Sequence, residues 1–298
     1  MTTLLVGATG FLGSEICRRL TNQGRHVRAL VRTTADPAKI DMLKKMGCTL
    51  AYGDLRDRAS LAAACRGVDE VITTASTTFS RQPGDSIEVT DQAGQLNLVA
   101  AAQAARVRHF VYISFSGQLD NGPDPSPLTM AKRTVEQAVQ ASGMIYTILR
   151  PTDFMEIWLS PAVGFDYPNA QATIYGTGEK KISWISLYDV AEFAVESLDN
   201  PAARNVVLEL GGPEALSPHE VVKIFEEVTG RPFTVNHVPV ETLEMQKAAA
   251  TDSLAKSFAA LMLGYAAGDP IEMRATLKEF PIALTSVKEY AAKQLVPA

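Results

Sequence analysis

Apolar and polar residues follow two rhythms along the first 150 positions, and the rhythms take turns. Short runs dense in Leu and Val, such as TLLVGA from Thr3 and HVRALVR from His26, have the length and composition of buried strands. Between them apolar residues recur three and four apart, so that Leu12, Ile16 and Leu20 share one face of a predicted helix over 11–23. The same alternation predicts helix 37–46 before the strand CTLAYGD, helix 59–66 before EVITTA, helix 86–105 before HFVYISF, and helix 129–142 before YTILR. Strands separated by single helices and short turns pair in parallel, through right-handed crossovers. The expectation for residues 1–150 is therefore an α/β domain, a doubly wound parallel sheet covered by helices.

At Pro151 the rhythm breaks. PTDFMEIWLSPAVGFDYPNAQATIYGTGEK keeps no period, and helical patterns dominate from Pro213 onward. Residues 151–298 are expected to form mainly a smaller, mostly helical substrate lobe, with 184–210 returning to the main sheet. Arg150-Pro151 marks the break, because proline brings no N–H to a strand ladder. No repeat, low-complexity tract or long polar linker separates the two parts.

Directly after the first strand, LLVGATGFLGSEICRRL spaces Gly7, Gly10 and Gly13 three apart. In a strand-turn-helix setting one glycine permits the tight turn, a second lets backbone approach a pyrophosphate, and a third lets helix pack closely on strand. The helix start adds free N–H groups and positive potential. Alone, the pattern could be a plain tight turn. Its place between first strand and first helix points to a dinucleotide-binding turn that includes Thr9, Phe11 and Leu12.

Composition removes other classes. With 298 residues, 46% of them hydrophobic, the chain can bury one large or two modest cores. A formal charge of -5 with no Lys/Arg cluster argues against nucleic acid as a partner. No apolar run approaches the roughly 18 residues of a membrane span, and the N-terminus lacks a basic-then-apolar leader, so a cytoplasmic protein is expected. Cys17, Cys48 and Cys65 lack CxxC spacing and read as reduced core thiols. The four histidines, among them His26, His109 and His219, have no metal-ligand spacing, and no GxSxG nucleophile elbow is present, so no metal is expected.

The GxxGxxG spacing, with GDLRD at 53–57, TTAS at 73–76 and FVYISFSG at 110–117, resembles the short-chain dehydrogenase/reductase superfamily in its extended and atypical branches. KRTVEQAVQASGMIYTILRPTDFME from Lys132 and WISLYDVAEFAV from Trp184 are similar to the NmrA-like group, which includes isoflavone-reductase-like enzymes, NAD(P)H:quinone reductases and catalytically silent redox sensors. The resemblance covers nearly the whole chain and implies a Rossmann-type fold. It also implies that Asp54 and Leu55 lie in the adenine-contacting acidic turn, and that Thr74, Ala75 and Ser76 lie at the strand end beside the cofactor ribose. Lys132 takes the place of the superfamily lysine that holds the ribose and, in isoflavone-reductase-like relatives, is regarded as the acid/base. The superfamily's tyrosine, four residues earlier, is here Leu128, and neither Thr129 nor Met130 restores an acid. A surface pair of Lys132 with Glu136, one helical turn on, is the rival reading.

The second strand ends ALVRTT, with no acidic residue before Asp36. A 2'-phosphate needs a cation where NAD-specific sites place a carboxylate, and the Arg32 guanidinium can take phosphate bidentately. NADP(H) is thus preferred over NAD(H), against the reading of Arg32 as a solvated surface residue. Ser114 and Ser116 stand at the carboxyl end of a central strand, where one could hold a substrate oxygen or simply cap the strand. Tyr112 would lie deeper, in the core. Phe79, Phe115, Phe154 and Trp158 follow successive strands and could form an apolar pocket over a nicotinamide, or could pack between lobes. The expected function is NADPH-dependent hydride transfer to a small apolar acceptor, by a chain that could form a homo-oligomer. The alternative is a non-catalytic NADP(H) redox sensor acting through a protein partner.

Overall fold

Leu4, Leu5 and Val6 at the end of β1 (Thr2–Val6) are all buried, a condition met only by a strand covered on both faces. The computed structural model describes residues 1–79, 81–121 and 125–294. After β1 come α1 (Phe11–Asn22), β2 (His26–Val31), α2 (Pro37–Lys45), β3 (Thr49–Tyr52), α3 (Arg58–Cys65), β4 (Glu70–Thr73), α4 (Gln95–Ala104), β5 (His109–Ile113), α5 (Pro127–Ala141) and β6 (Ile145–Pro151). Four further strands follow: β7 (Phe165–Asp166), β8 (Gln171–Tyr175), β9 (Val206–Leu210) and β10 (Thr234–Val238).

Among the described residues the main sheet has seven strands in the order β3-β2-β1-β4-β5-β6-β9. The pairings β1–β2, β2–β3, β1–β4, β4–β5 and β5–β6 are parallel. This is the expected doubly wound, Rossmann-type α/β sheet. The chain proceeds one way from β1 to β3 and then restarts on the other side of β1 with β4. That reversal opens a crevice at the carboxyl ends of β1 and β4, where such sheets hold ligands.

The predicted helix 86–105 is two segments. Ile87–Gly94 is π-helical and runs into α4. The wider turn coincides with Asp91, a fully buried carboxylate that accepts from Thr77 N–H at 3.1 Å and Thr77 Oγ1 at 2.5 Å.

By packing, the chain forms two compact units. Met1–Ser114, Pro127–Leu149 and Ala191–Leu208 form the first, around Leu4, Leu61, Leu98, Phe110, Tyr112 and Ile148. Phe115–Ser126, Arg150–Val190 and the chain from Glu209 onward form the second, around Phe165, Ile174, Trp184 and Phe225. The excursion 115–126 thus packs with the second unit although it interrupts the first in sequence. The second unit is less helical than its pattern suggests, because β10-β8-β7 form a small sheet, β8 parallel to β10 and antiparallel to β7. TVNHV at β10 is largely exposed and carries no apolar run to betray it. The helix Pro218–Thr229 is signalled locally, by Ser217 and Glu220 in a capping box with Pro218 at its first position. Among the described residues no helix is long and apolar enough to cross a membrane.

Candidate cofactor and active site

The three glycines at the end of β1 answer to different constraints. Gly7 has φ +88°, and a Cβ there would lie 2.5 Å from Thr74 Oγ1 and 2.8 Å from Ala75 N. At Gly13 a Cβ would lie 2.2 Å from the Gly7 carbonyl oxygen, so the close approach of α1 to the turn requires glycine. Gly10 is different, because a Cβ would meet only the Gly7 carbonyl oxygen, at 3.3 Å. That contact is tighter than side chains usually make, so packing constrains Gly10 too, though less than Gly7 or Gly13. Gly10 is also the N-cap of α1, and no side chain caps that helix start. Phe11 beside it is 76% exposed, and Thr9 and Leu12 are half-buried. A cradle kept open in this way, at an uncapped helix N-terminus, fits the pyrophosphate of a dinucleotide.

Next to the cradle the end of β4 is fastened from below. Thr74 N–H continues the ladder to Val6 O at 2.9 Å, and Gln95 Nε2 donates to Ala75 O at 2.9 Å. Ser76 Oγ and Thr78 Oγ1 are 3.3 Å apart. The buried Asp91 closes this turn through Thr77, and neither residue stood out in the sequence.

At the ends of β2 and β3 the picture changes from that expected. Arg32 has an acidic partner after all: its Nη1 donates to Asp85 at 2.6 Å, across 53 residues of sequence. Burial alone would raise the Asp85 carboxyl, but the Arg32 guanidinium and the Gln82 N–H hold it below the usual range. Asp54 is held low too, chiefly by Arg56, whose Nε and Nη2 donate to it at 2.9 and 2.7 Å. Leu55 puts its side chain into the core of the first unit and its carbonyl on Asn97 Nδ2 at 3.2 Å.

Lys132 on α5 is buried, and its Nζ donates to the Ile113 carbonyl at the carboxyl end of β5, at 3.1 Å. Burial lowers its pKa, while Asp91 and Glu136 act in the opposite sense. The reading of Lys132 and Glu136 as a solvated surface pair is overturned, because both are buried and Glu136 pairs with Arg133 at 2.6 Å. The same Arg133 Nη1 donates to Ser114 Oγ at 3.1 Å, tying Ser114 to the turn of α5 that carries Lys132. Leu128 is buried, so no phenol stands one turn before Lys132. A different tyrosine lies near: Nζ is 5.1 Å from the centre of the Tyr112 ring. Burial pushes the Tyr112 phenol well above its ordinary pKa, and its hydroxyl has no hydrogen-bond partner among the described residues.

Ser116 belongs to the second unit, where its Oγ accepts from Gln118 N–H at 3.1 Å and caps the short turn Gly117–Asp120. Of the aromatic quartet, Phe79 is in the first unit and half exposed, whereas Phe115, Phe154 and Trp158 are in the second. Phe154 precedes the short helix Met155–Trp158 and bridges to Ile185. Trp158 stacks on Tyr265 with centroids 5.4 Å apart and meets Tyr175 edge-on at 6.5 Å. Burial, with Asp153 nearby, raises the Tyr265 phenol, and burial with Asp269 raises Asp153. Tyr265 and Asp153 carried no motif, so sequence reasoning passed over them.

The model of the NmrA-like family matches residues 1–291. The chain belongs to the NmrA-like family. It is 37% identical over 251 residues to an NAD(P)H azoreductase of Xenophilus azovorans, covering 83% of this chain and 80% of that one. To the isoflavone reductase homolog IRL of Zea mays it is 32% identical over 256 residues, covering 82% and 79%. Among solved structures, the NADPH complex of the Escherichia coli NADPH-dependent quinone oxidoreductase QOR2 has the same fold, with TM-score 0.80, 24% identity and coverage of 99% and 100%. A crystal structure of isoflavone reductase gives TM-score 0.77 at 25% identity, covering 99% of each chain. The expectation of an NmrA-like oxidoreductase stands with these relatives.

Proposed function

We propose that this NmrA-like oxidoreductase uses NADPH in preference to NADH to reduce a small apolar acceptor: a quinone, an aromatic carbonyl or an activated alkene. The observation that carries the reading is Lys132, buried with its ammonium on the Ile113 carbonyl, at the carboxyl end of the strand next to β4. A bound nicotinamide would supply the hydride. Gly7, Gly10, Gly13 and the start of α1 would hold the pyrophosphate, Thr74 to Ser76 would border the ribose, and Arg32 would face the 2'-phosphate. Lys132, with its pKa lowered by burial, is suited to give a proton to the reduced acceptor oxygen or carbon, directly or through water. Ser114, whose Oγ accepts from Arg133, is the second residue we assign to hydrogen-bonding the acceptor oxygen. The names of the relatives, an azoreductase and an isoflavone reductase homolog, are in keeping with conjugated apolar acceptors.

The buried Leu128 in place of a phenol favours a second reading, an NADP(H) sensor without chemistry of its own. One experiment separates the two: NADPH oxidation followed against a panel of quinones, aromatic aldehydes, enones and azo compounds. Turnover with at least one class is expected. Tight NADPH binding with no acceleration by any acceptor would leave only the sensor.

A further inference from the structure

The segment after β4 ends in a turn built to deliver a carboxylate to Arg32. Gln82-Pro83-Gly84-Asp85 closes with Asp85 N–H on Gln82 O at 2.9 Å and has Gly84 at φ +85°, the combination that proline followed by glycine favours. The turn is pinned at several points. Gln82 N–H donates to Asp85 Oδ2 at 2.8 Å, Gln82 Nε2 donates to Thr34 O at 3.3 Å, and Arg56 Nη1 donates to Pro83 O at 3.2 Å. Held there, Asp85 accepts from Arg32 at 2.6 Å and from Thr90 Oγ1 at 3.1 Å, with Arg56 Nη1 3.8 Å away. The Asp85 side chain is 2% exposed and the Arg32 side chain 27%, so the acid is fixed and the accessible part of the pair is the guanidinium.

A 2'-phosphate gripped by Arg32 would therefore lie within a guanidinium's width of a fixed carboxylate. Two anions would share one cation, and Arg56 is already occupied by Asp54. We propose that Asp85 is a specificity-determining residue for the cofactor: by holding Arg32 it limits the advantage of a 2'-phosphate and keeps the site open to dinucleotides with and without it. This rests on the reading of the glycine turn and Arg32 as the cofactor site. The opposite effect, a carboxylate that orients Arg32 and so helps phosphate, gives the opposite sign on substitution.

The test is calorimetric titration of the full-length protein and its variants with adenosine 2',5'-bisphosphate, ADP and NADPH. Asp85→Asn keeps the shape of the side chain and removes its charge. It should bind the 2',5'-bisphosphate about tenfold more tightly, leave ADP within about twofold, and lose the gain when Arg32→Ala is added. Asp85→Ser, which retains a hydroxyl for the Gln82 N–H, should show the same selective gain and serves if the asparagine variant folds poorly, as judged by circular dichroism. An unchanged ratio of the two affinities, or weaker binding of the 2',5'-bisphosphate, overturns the proposal. Wild-type protein that binds none of the three ligands overturns the underlying cofactor assignment instead.

Discussion

The Lys132 ammonium lies 5.1 Å from the centre of the Tyr112 ring while donating to the Ile113 carbonyl, so one residue of β5 supplies its floor and the next its anchor. A cation over an aromatic face is stabilised most when desolvated, and this one is buried. The arrangement fixes Nζ in place without consuming all three of its protons. Lys132→Met should therefore be decisive for the chemistry. If the lysine delivers the proton, kcat for carbonyl or enone acceptors should fall by about 10²- to 10⁴-fold, with a smaller loss for quinones. A rise in the cofactor KM with kcat preserved at saturation would reduce Lys132 to a ribose clamp. The pH profile gives a second readout. The acid must be protonated, so the rate should decline as pH rises through a pKa lying below the ordinary 10.5 of lysine, and Lys132→Met should lack that limb.

Tyr112 offers the converse test. Its hydroxyl is buried without a partner among the described residues, and an unpaired buried hydroxyl costs stability that phenylalanine does not. Tyr112→Phe should raise the free energy of unfolding by about 1 kcal/mol and leave kcat within about twofold, since the ring under Lys132 is kept. A kcat reduced tenfold or more, measured on folded protein, would make the phenol part of the chemistry.

The glycine turn separates folding from binding. Gly13→Ala drives a methyl into the Gly7 carbonyl and should cost about 1–3 kcal/mol, as overpacking does. Gly10 has φ -82° and ψ 169°, a conformation open to any residue, but a Cβ would press on the Gly7 carbonyl oxygen at 3.3 Å, so Gly10→Val should fold with a smaller loss of stability than Gly13→Ala. Its side chain would nevertheless fill the cradle. Titration with NADPH should show binding abolished, and an unchanged affinity would remove the cradle from the cofactor site.

How far the sequence carried the reading depended on whether each feature was local. The Rossmann-type sheet was legible because the buried strands are dense in apolar residues, as in Leu4 to Val6, and helices such as α1 keep their period. The glycine turn was legible because φ and close approach are backbone demands that name their residue. What was not legible lay across long separations. Nothing near Arg32 announces Asp85, although Gln82-Pro83-Gly84-Asp85 does announce a turn. The burial of Lys132 and the capture of Glu136 by Arg133 depend on how α5 is rotated against β5, which the helical pattern leaves loose. Tyr265 and Asp153 meet only after the second unit has folded, and the exposed β10 carries too few apolar residues to be recognised as a strand.

His109, at the first position of β5, makes the stability of the first unit sensitive to acid. Thr147 Oγ1 donates to the Ala203 carbonyl at 2.6 Å, so its 2.8 Å contact with the imidazole requires His109 Nε2 to be the donor. The ring is buried, and burial lowers its pKa to about 4, with Arg204 and Arg108 acting in the same sense and Glu70 against it. The folded state thus keeps the ring neutral where the unfolded chain, titrating near 6.5, takes up a proton. Between pH 6.5 and about 4 the unfolded state binds more protons, so stability falls as pH falls, by as much as about 3 kcal/mol across the window. Above 6.5 this contribution is flat. His109→Gln retains an N–H donor for Thr147 and has no titrating ring, so its stability should decline less steeply over the same interval. Urea unfolding at pH 7, 6, 5 and 4.5 measures both slopes, and parallel slopes for the two proteins would show that acid sensitivity arises elsewhere.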